Sequence, residues 1–319
     1  MLPSMFQNRL SLPAMAAPMF LVSGPDLVVE TCKAGMIGTF PSFNHRTPEG
    51  YGRWLSDIRG RLSDQDAPFG VQFSIHMTNE RLDADLALTL QHQVPILITE
   101  LAVTREVTDA VHAYGGQVFH GATTVRHAVK GLEAGVDGII AVSAGAGGHG
   151  GTYNPFAFTS ELRPIVGDKV LIQAGAISDG QGVAGAVAAG ADLASIGTAF
   201  ICTTESMAAE EMKQAMVAAT AKDILYTDKV SGLYANFLRD TVPIDASAPE
   251  GPFNVTEEIS PKRWRDIWTA GHGVGSIHDI VPASVLVDRL AREFRTASSR
   301  LSAIAATPYR TRIPGQDAA

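Results

Sequence analysis

Short apolar runs rich in β-branched residues recur along the chain at 12–17, 36–40, 69–75, 95–101, 117–121, 137–142, 169–174 and 192–196. Between most of them stand amphipathic stretches, 26–34, 80–92, 105–114, 124–134, 181–189 and 207–221, whose apolar positions follow a helical period. Strands that are apolar almost throughout are buried on both faces, and their alternation with helices predicts a parallel sheet covered by helices. Two segments repeat the same punctuation. Ala134-Gly135-Val136-Asp137 and Ala189-Gly190-Ala191-Asp192 each read as a helix end, a capping glycine and a new strand. Eight such units within about 200 residues favour an α/β fold of the (β/α)8 TIM-barrel type over a doubly wound sheet.

The alternation lapses after Cys202. Residues 223–254 read as irregular turns, and 245–252 is rich in Ala, Ser, Pro and Gly. A glycine-rich stretch from Trp268 to Gly275 then precedes a last helix near 282–296 and a frayed tail from about Thr307. The expected organisation is therefore a barrel formed by 1–204 and 276–319, with 205–275 as a smaller covering, substrate-facing segment over its mouth.

Catalytic groups of a barrel stand where strands end and the following loops begin. The most unusual such place is 136–152, where the apolar run 136–142 leads into Gly145, Gly147, Gly148, Gly150 and Gly151 with His149 among them. So many glycines make a helix or strand costly and let backbone approach a bulky ligand closely. His149 is the one side chain of that loop with acid–base chemistry near neutral pH. Gly145, Gly147 and Gly150 formally satisfy GxGxxG, but the dinucleotide fingerprint opens a helix in the first βα unit. Here several strands come first, and Tyr153-Asn154-Pro155-Phe156 follows.

Composition narrows the partners. The 319 residues are 45% hydrophobic, enough for a deep core, and the net charge of −8 comes without a Lys/Arg cluster. Nucleic acid and anionic membranes are therefore poor partners. Cys32 and Cys202 are far apart without ligand spacing, the usage of a reducing compartment. The apolar run 10–22 contains Pro13 and Pro18, has a barely basic flank, and falls short of the roughly 20 apolar residues of a membrane span. A cytoplasmic protein is expected. His45, His76, His92, His112, His127 and His278 form no ligand-like cluster, so no metal site is expected.

Two further loops carry chemistry. Gln173-Ala174-Gly175-Ala176-Ile177-Ser178-Asp179-Gly180 ends the seventh run and starts a helix near Asp179, and Ile196-Gly197-Thr198-Ala199-Phe200 does the same for the eighth. Small residues that expose backbone N–H groups beside a helix N-terminus make a phosphate site, in the position where barrels commonly build one. The alternative is that these glycines merely close tight turns.

With these motifs in order, the chain resembles the FMN-dependent nitronate monooxygenases, formerly 2-nitropropane dioxygenases, with their related enoyl and quinone reductases. Ala16-Ala17-Pro18-Met19 is similar to the family's first-strand signature, Ala146–Gly151 to its histidine loop, the two loops above to its phosphate loops, and Trp268-Thr269-Ala270-Gly271 to its late glycine motif. The resemblance implies FMN at the barrel mouth, with its phosphate on Gly175, Ala176, Gly197 and Thr198 and its ring system against Pro18 and Met19. It also implies flavin contacts from Gln72, His120, Gly148 and Gly151. His149 corresponds to the family histidine, either the base for a neutral nitroalkane or an anchor for an anionic substrate.

Two positions depart from the family pattern: Ala199 stands where Arg is usual, and His272 where Gln or Met is usual. His272 and Glu100, the latter at the end of the fourth run, are thus candidate substrate contacts. The expected activity is oxidation of alkyl nitronates, and of nitroalkanes, by dioxygen to a carbonyl compound and nitrite. The alternatives are an NAD(P)H-dependent reductase of an enoyl thioester or quinone, and a non-catalytic flavin-binding barrel. The partners expected are a small-molecule substrate and dioxygen, with a homo-oligomer left open.

Overall fold

The computed structural model describes residues 3–249, 253–258 and 264–308. Eight parallel strands form its main sheet: β1 (Ala14–Ala16), β2 (Thr39–Pro41), β3 (Gly70–Ser74), β4 (Ile96–Glu100), β5 (Gln117–Ala122), β6 (Gly138–Val142), β8 (Val170–Ala174) and β9 (Leu193–Ile196). Gly148–His149 is a two-residue strand, β7, that belongs elsewhere. The strand order is β1-β9-β8-β6-β5-β4-β3-β2, and a parallel bridge from Met15 to Ile37 joins the two ends. The result is the (β/α)8 barrel that the alternation predicts.

Period-two alternation divides the apolar side chains between two cores. Met15, Ile96, Ile98, Phe119, Ile140, Ile172 and Leu193 fill the barrel interior, and Phe6, from the N-terminal turn Ser4–Phe6, packs with them. Their neighbours Leu97, Val118, Ile139 and Leu171 face outward, against the helices. Those helices start where capping chemistry is present: Thr104, Thr124, Asn154 and Asp179 each accept a backbone N–H of the first turn. Gly135 and Gly190 take φ of +92° and +111°, as capping glycines do.

The structure adds elements that the sequence pattern hid. A helix runs over Pro48–Arg61, and another over Pro155–Val166 begins three residues after the glycine loop, so the residues that follow that loop do open a helix. Within the stretch expected to be irregular, β10 (Ile224–Thr227) and β11 (Ala235–Leu238) form an antiparallel hairpin. Gly148–His149 pairs with Ala235–Asn236 as its third strand, so part of the glycine loop is a strand after all. The last helix extends over Ala283–Ala305, and the tail from 309 lies outside the described residues. Among the described residues no helix is long and apolar enough to cross a membrane, and no group of three or more His, Cys, Asp or Glu is placed to hold a metal ion.

Candidate active site

The carboxyl ends of the strands open into a cavity of about 510 Å³ that Gly148 and His149 of the small antiparallel sheet also line, a volume in the usual range for a ligand site. Pro18, Met19, Gln72, Glu100, Gly148, His149, Gly175, Ala176, Gly197 and Thr198 all line it. Residues scattered over 180 positions of sequence thus converge on one space: most sit at, or just beyond, the end of a barrel strand, Gln72 lies within β3, and Gly148 and His149 return from the long loop after β6.

One wall is nearly all backbone. At Gly175, φ is +117° and an added Cβ would stand 3.0 Å from the Ser143 carbonyl oxygen and 3.1 Å from that of Ala144, so only glycine fits. Ala176 follows at φ +58°, and its N–H donates to the Gly145 carbonyl at 3.1 Å. The late glycine motif locks the same corner. Gly271 N–H donates to Thr198 Oγ1 at 2.9 Å, His272 N–H donates to the Gly145 carbonyl at 3.0 Å, and a Cβ on Gly147 would lie 2.9 Å from the Gly271 nitrogen. Asn236 of β11 donates from Nδ2 to the Ala146 carbonyl at 2.7 Å, tying the glycine loop to the antiparallel hairpin.

The helix N-terminus expected to assist a phosphate is already occupied. Gly180, first residue of the helix Gly180–Ala188, donates its N–H to Glu293 Oε2 at 2.8 Å, and a Cβ there would meet the backbone of the last helix at 2.3 Å. That dipole is satisfied by a carboxylate of the C-terminal helix. An anion on this wall would depend on the loop amides, the Thr198 hydroxyl and the first turn of the short helix Thr198–Ile201, whose first N–H groups have no acceptor within the helix.

The opposite wall carries the polar side chains. Gln72 is buried and donates from Nε2 to Ser74 Oγ at 3.3 Å. His149 reaches in from the glycine loop. Its Nε2 pairs with Ser231 Oγ at 3.0 Å, and its ring meets Trp264 edge-on, with centroids 6.2 Å apart. The Ser231 hydroxyl also donates to the Leu233 carbonyl at 3.1 Å. Its one proton used there, it accepts from His149, which places the proton of the neutral imidazole on Nε2. His149 has ample accessible surface, but that surface faces the cavity and protein surrounds the ring. Desolvation therefore pulls its pKa down to about 4, leaving it neutral at pH 7.

Three expected site residues stand elsewhere. His120 faces outward because its neighbour Phe119 takes the inward position on β5. It packs against the helix Val125–Glu133, where a Cβ on Gly131 would be 2.9 Å from its ring, and its Nδ1 pairs with Thr99 Oγ1 at 2.9 Å. Burial, helped by nearby His127, pushes its pKa down to about 4, as for a neutral core histidine. Gly151 donates its N–H to the Val142 carbonyl, and a Cβ would approach that oxygen to 2.5 Å, so it closes the loop against β6 rather than lining the cavity. His272 is exposed at the start of the turn His272–Ser276, outside the cavity lining that its neighbours Gly271 and Gly273 share.

Sequence reasoning missed Ser231, Trp264 and Asn236, which act on the glycine loop from 80 to 120 residues away and carry no local motif. Left-handed backbone is a further signal that only coordinates reveal. Leu21, Leu101 and Ala176 have φ of +61°, +68° and +58°, and all three line the cavity. Strain of this kind persists where the surroundings impose it, and it gathers at functional sites.

Residues 72–259 match the family model described as nitronate monooxygenase. The chain belongs to the nitronate monooxygenase family. It is 26% identical to a nitronate monooxygenase of Paraburkholderia phytofirmans, over 91% of this chain and 94% of that one. It is 32% identical to a Rhodococcus jostii protein named (3aS,4S,5R,7aS)-5-hydroxy-7a-methyl-1-oxo-octahydro-1H-indene-4-carboxyl-CoA dehydrogenase, over 69% of this chain and 61% of that relative. Among solved structures, nitroalkane oxidase from Streptomyces ansochromogenes superposes with a TM-score of 0.80 at 25% identity, covering 94% of this chain and 100% of that one. As a nitronate monooxygenase family member the protein is a flavin-dependent oxidoreductase acting on a small-molecule substrate, in a family that oxidises nitronates and nitroalkanes.

Proposed function

We propose that the protein is an FMN enzyme that oxidises alkyl nitronates with dioxygen, giving a carbonyl compound and nitrite. The observation that carries this reading is the two-sided cavity, with a backbone-lined corner at Gly175 on one wall and acid–base side chains on the other. The corner fits a phosphate, because Gly175 leaves no side chain between the loop and the cavity. The flavin phosphate is assigned to Gly175, Ala176, Gly197 and Thr198, with the ring system against Pro18 and Met19 and beside Gln72. With Ala199 replacing the usual Arg, this corner binds the phosphate through neutral donors. A flavin held there would supply the electron transfer from the organic substrate to dioxygen.

The protein's own residues supply the rest. Asn44 holds the loop after β1 in place, donating from Nδ2 to the carbonyls of Met19 and Ser23 and accepting the Leu21 N–H at 2.9 Å. Trp264, Trp268 and Phe253 line the cavity with aromatic rings, an apolar lining that strengthens the polar contacts made inside. His149 stands in the cavity wall as a neutral imidazole whose Nε2 proton is held by Ser231, so it does not serve as a charged anchor for the nitronate.

A second reading follows from the Rhodococcus relative: dehydrogenation of a CoA thioester, for which Glu100 offers a carboxylate within the cavity. The reductase reading needs NAD(P)H. Anaerobic mixing of the yellow protein with a nitronate, with NADH or with an acyl-CoA separates the three. Bleaching by nitronate alone supports the proposal, and bleaching only by NADH or only by the thioester refutes it.

A further inference from the structure

Glu100 occupies an inward-facing position at the last rung of β4. It continues the row Ile96, Ile98, Glu100, whose first two members lie in the barrel core. Its flanking inward positions are small. Ser74 is its register partner on β3, and on β5 a Cβ at Gly121 would stand 2.9 Å from Glu100 Oε1. The carboxylate therefore lies over Gly121, where any side chain would displace it. Among the described residues the carboxylate has no hydrogen bond or ion pair with the protein, although it lines the same cavity as His149.

The backbone fixes it there. The Glu100 carbonyl accepts the N–H of Ala102 at 2.8 Å and that of Ile75 at 3.0 Å. Leu101, between Glu100 and Ala102, is at φ +68°, the central residue of a γ-turn in its strained form. A β-branched-free but bulky leucine in this conformation is an outlier that the surroundings must sustain. The turn ends the strand abruptly, with the carboxylate left at the cavity wall.

Other groups are worse placed to take a proton from carbon. The Nε2 of His149 carries its ring proton toward Ser231, which leaves Nδ1 as the basic atom, and desolvation weakens that imidazole as a base. His120 lies behind the sheet. The remaining charged side chain among the described lining residues is Arg265, which pairs with Asp266 at 2.7 Å and cannot act as a base.

We propose that Glu100 is the general base that removes the α-proton of a neutral nitroalkane, which makes it a catalytic residue. The C–H bond breaks, its proton passes to a Glu100 oxygen, and its electron pair moves onto the nitro group, giving the nitronate. No oxidant takes part. The cavity holds one negative charge before the transfer and one after it, and the new carboxylic acid can donate a hydrogen bond to the nitronate it has made. Burial with no donor at hand raises the Glu100 pKa to about 7, which suits a base working near neutral pH. The assignment rests on the reading of the protein as an oxidiser of nitro compounds.

The test uses the flavin-loaded protein and its Glu100→Gln and Glu100→Asp variants, with nitroethane and preformed ethyl nitronate as probes. Two quantities are read. One is anaerobic exchange of the nitroethane α-proton for deuterium, by proton NMR, and the other is kcat/KM for each probe. Loss of about 10²–10⁴-fold in exchange and in nitroethane turnover for Glu100→Gln, with partial recovery in Glu100→Asp and nitronate turnover within about threefold of wild type, supports the assignment. Exchange near the wild-type rate in Glu100→Gln overturns it. So does wild-type protein that oxidises nitronate but exchanges no α-proton, an outcome that leaves the oxidation reading standing. Wild-type protein that exchanges the proton yet transfers no electrons from nitronate refutes the oxidation reading instead, and the variants still decide the role of Glu100. A Glu100→Gln protein that fails to fold would itself contradict the account, since the carboxylate has no protein partner to lose.

Discussion

The two walls of the cavity are built on different principles. The wall after β8 and β9 is backbone: Gly175, Gly197 and Thr198 present amides and one hydroxyl, the Ala176 N–H is held by the Gly145 carbonyl, and contacts too close for a side chain fix Gly175. The wall formed by β3, β4 and the glycine loop presents side chains: Gln72, and Glu100 and His149, whose pKa values desolvation shifts. A binding surface that must not react is made of groups that do not titrate at neutral pH. A reacting surface is made of groups whose protonation the fold has shifted.

Substitutions should separate the walls. The largest effect is expected for Gly175→Val, which combines a forbidden φ with a Cβ 3.0 Å from a carbonyl oxygen. Strain of roughly 1–3 kcal/mol plus a blocked phosphate site should leave the purified protein colourless and lower its melting temperature. Full flavin content in that variant would show that the phosphate sits elsewhere. At Gly197 the effect should be milder, because a Cβ there meets only the Ala17 and Met19 side chains at ordinary contact distances. On the other wall, His149→Asn should keep its flavin and change KM for nitroalkane and nitronate alike by only a few-fold, because the ring proton is committed to Ser231 and is not offered to substrate. Loss confined to the neutral nitroalkane would return the role of base to His149.

The sequence made one of these walls far easier to read than the other. Runs such as Ile96–Glu100 and Val170–Ala174 are apolar on both faces, so strand identity and the barrel follow from composition and spacing alone. The small-residue loops at Gly175 and Gly197 are local, and their positions after the last two strands announce them. Which face a strand residue takes is harder to read when both faces are buried: Phe119 and His120 could exchange places in the pattern, and the structure puts the histidine behind the sheet. The pairing of Gly148–His149 with Ala235–Asn236 spans more than 80 residues and involves a two-residue strand, which has no periodicity to detect. The capping of the helix Gly180–Ala188 by Glu293 likewise joins distant segments.

Stability offers a smaller but distinct effect. The Glu100 pKa is raised from 4.5 to about 7, so the folded protein holds that proton more tightly than the unfolded chain does. Its ionisation therefore removes stability as pH rises between those values, by at most about 3 kcal/mol and by less to the extent that water enters the cavity. Glu100→Gln should accordingly melt higher than wild type at pH 8 and at the same temperature at pH 4. A variant less stable than wild type at pH 8 would mean that the carboxylate has a stabilising partner. Ser231→Ala should have the smallest effect, a few-fold rise in KM without loss of flavin, because it removes a single neutral hydrogen bond from the His149 ring.

A crystal structure of the FMN-loaded protein tests the division between the walls most directly. The account predicts the phosphate within hydrogen-bonding distance of the Gly175, Gly197 and Thr198 amides, with the flavin ring over Pro18 and Met19 and its open face toward Glu100 and His149. A phosphate bound at the side-chain wall, or a flavin ring turned away from Glu100 and His149, would contradict it.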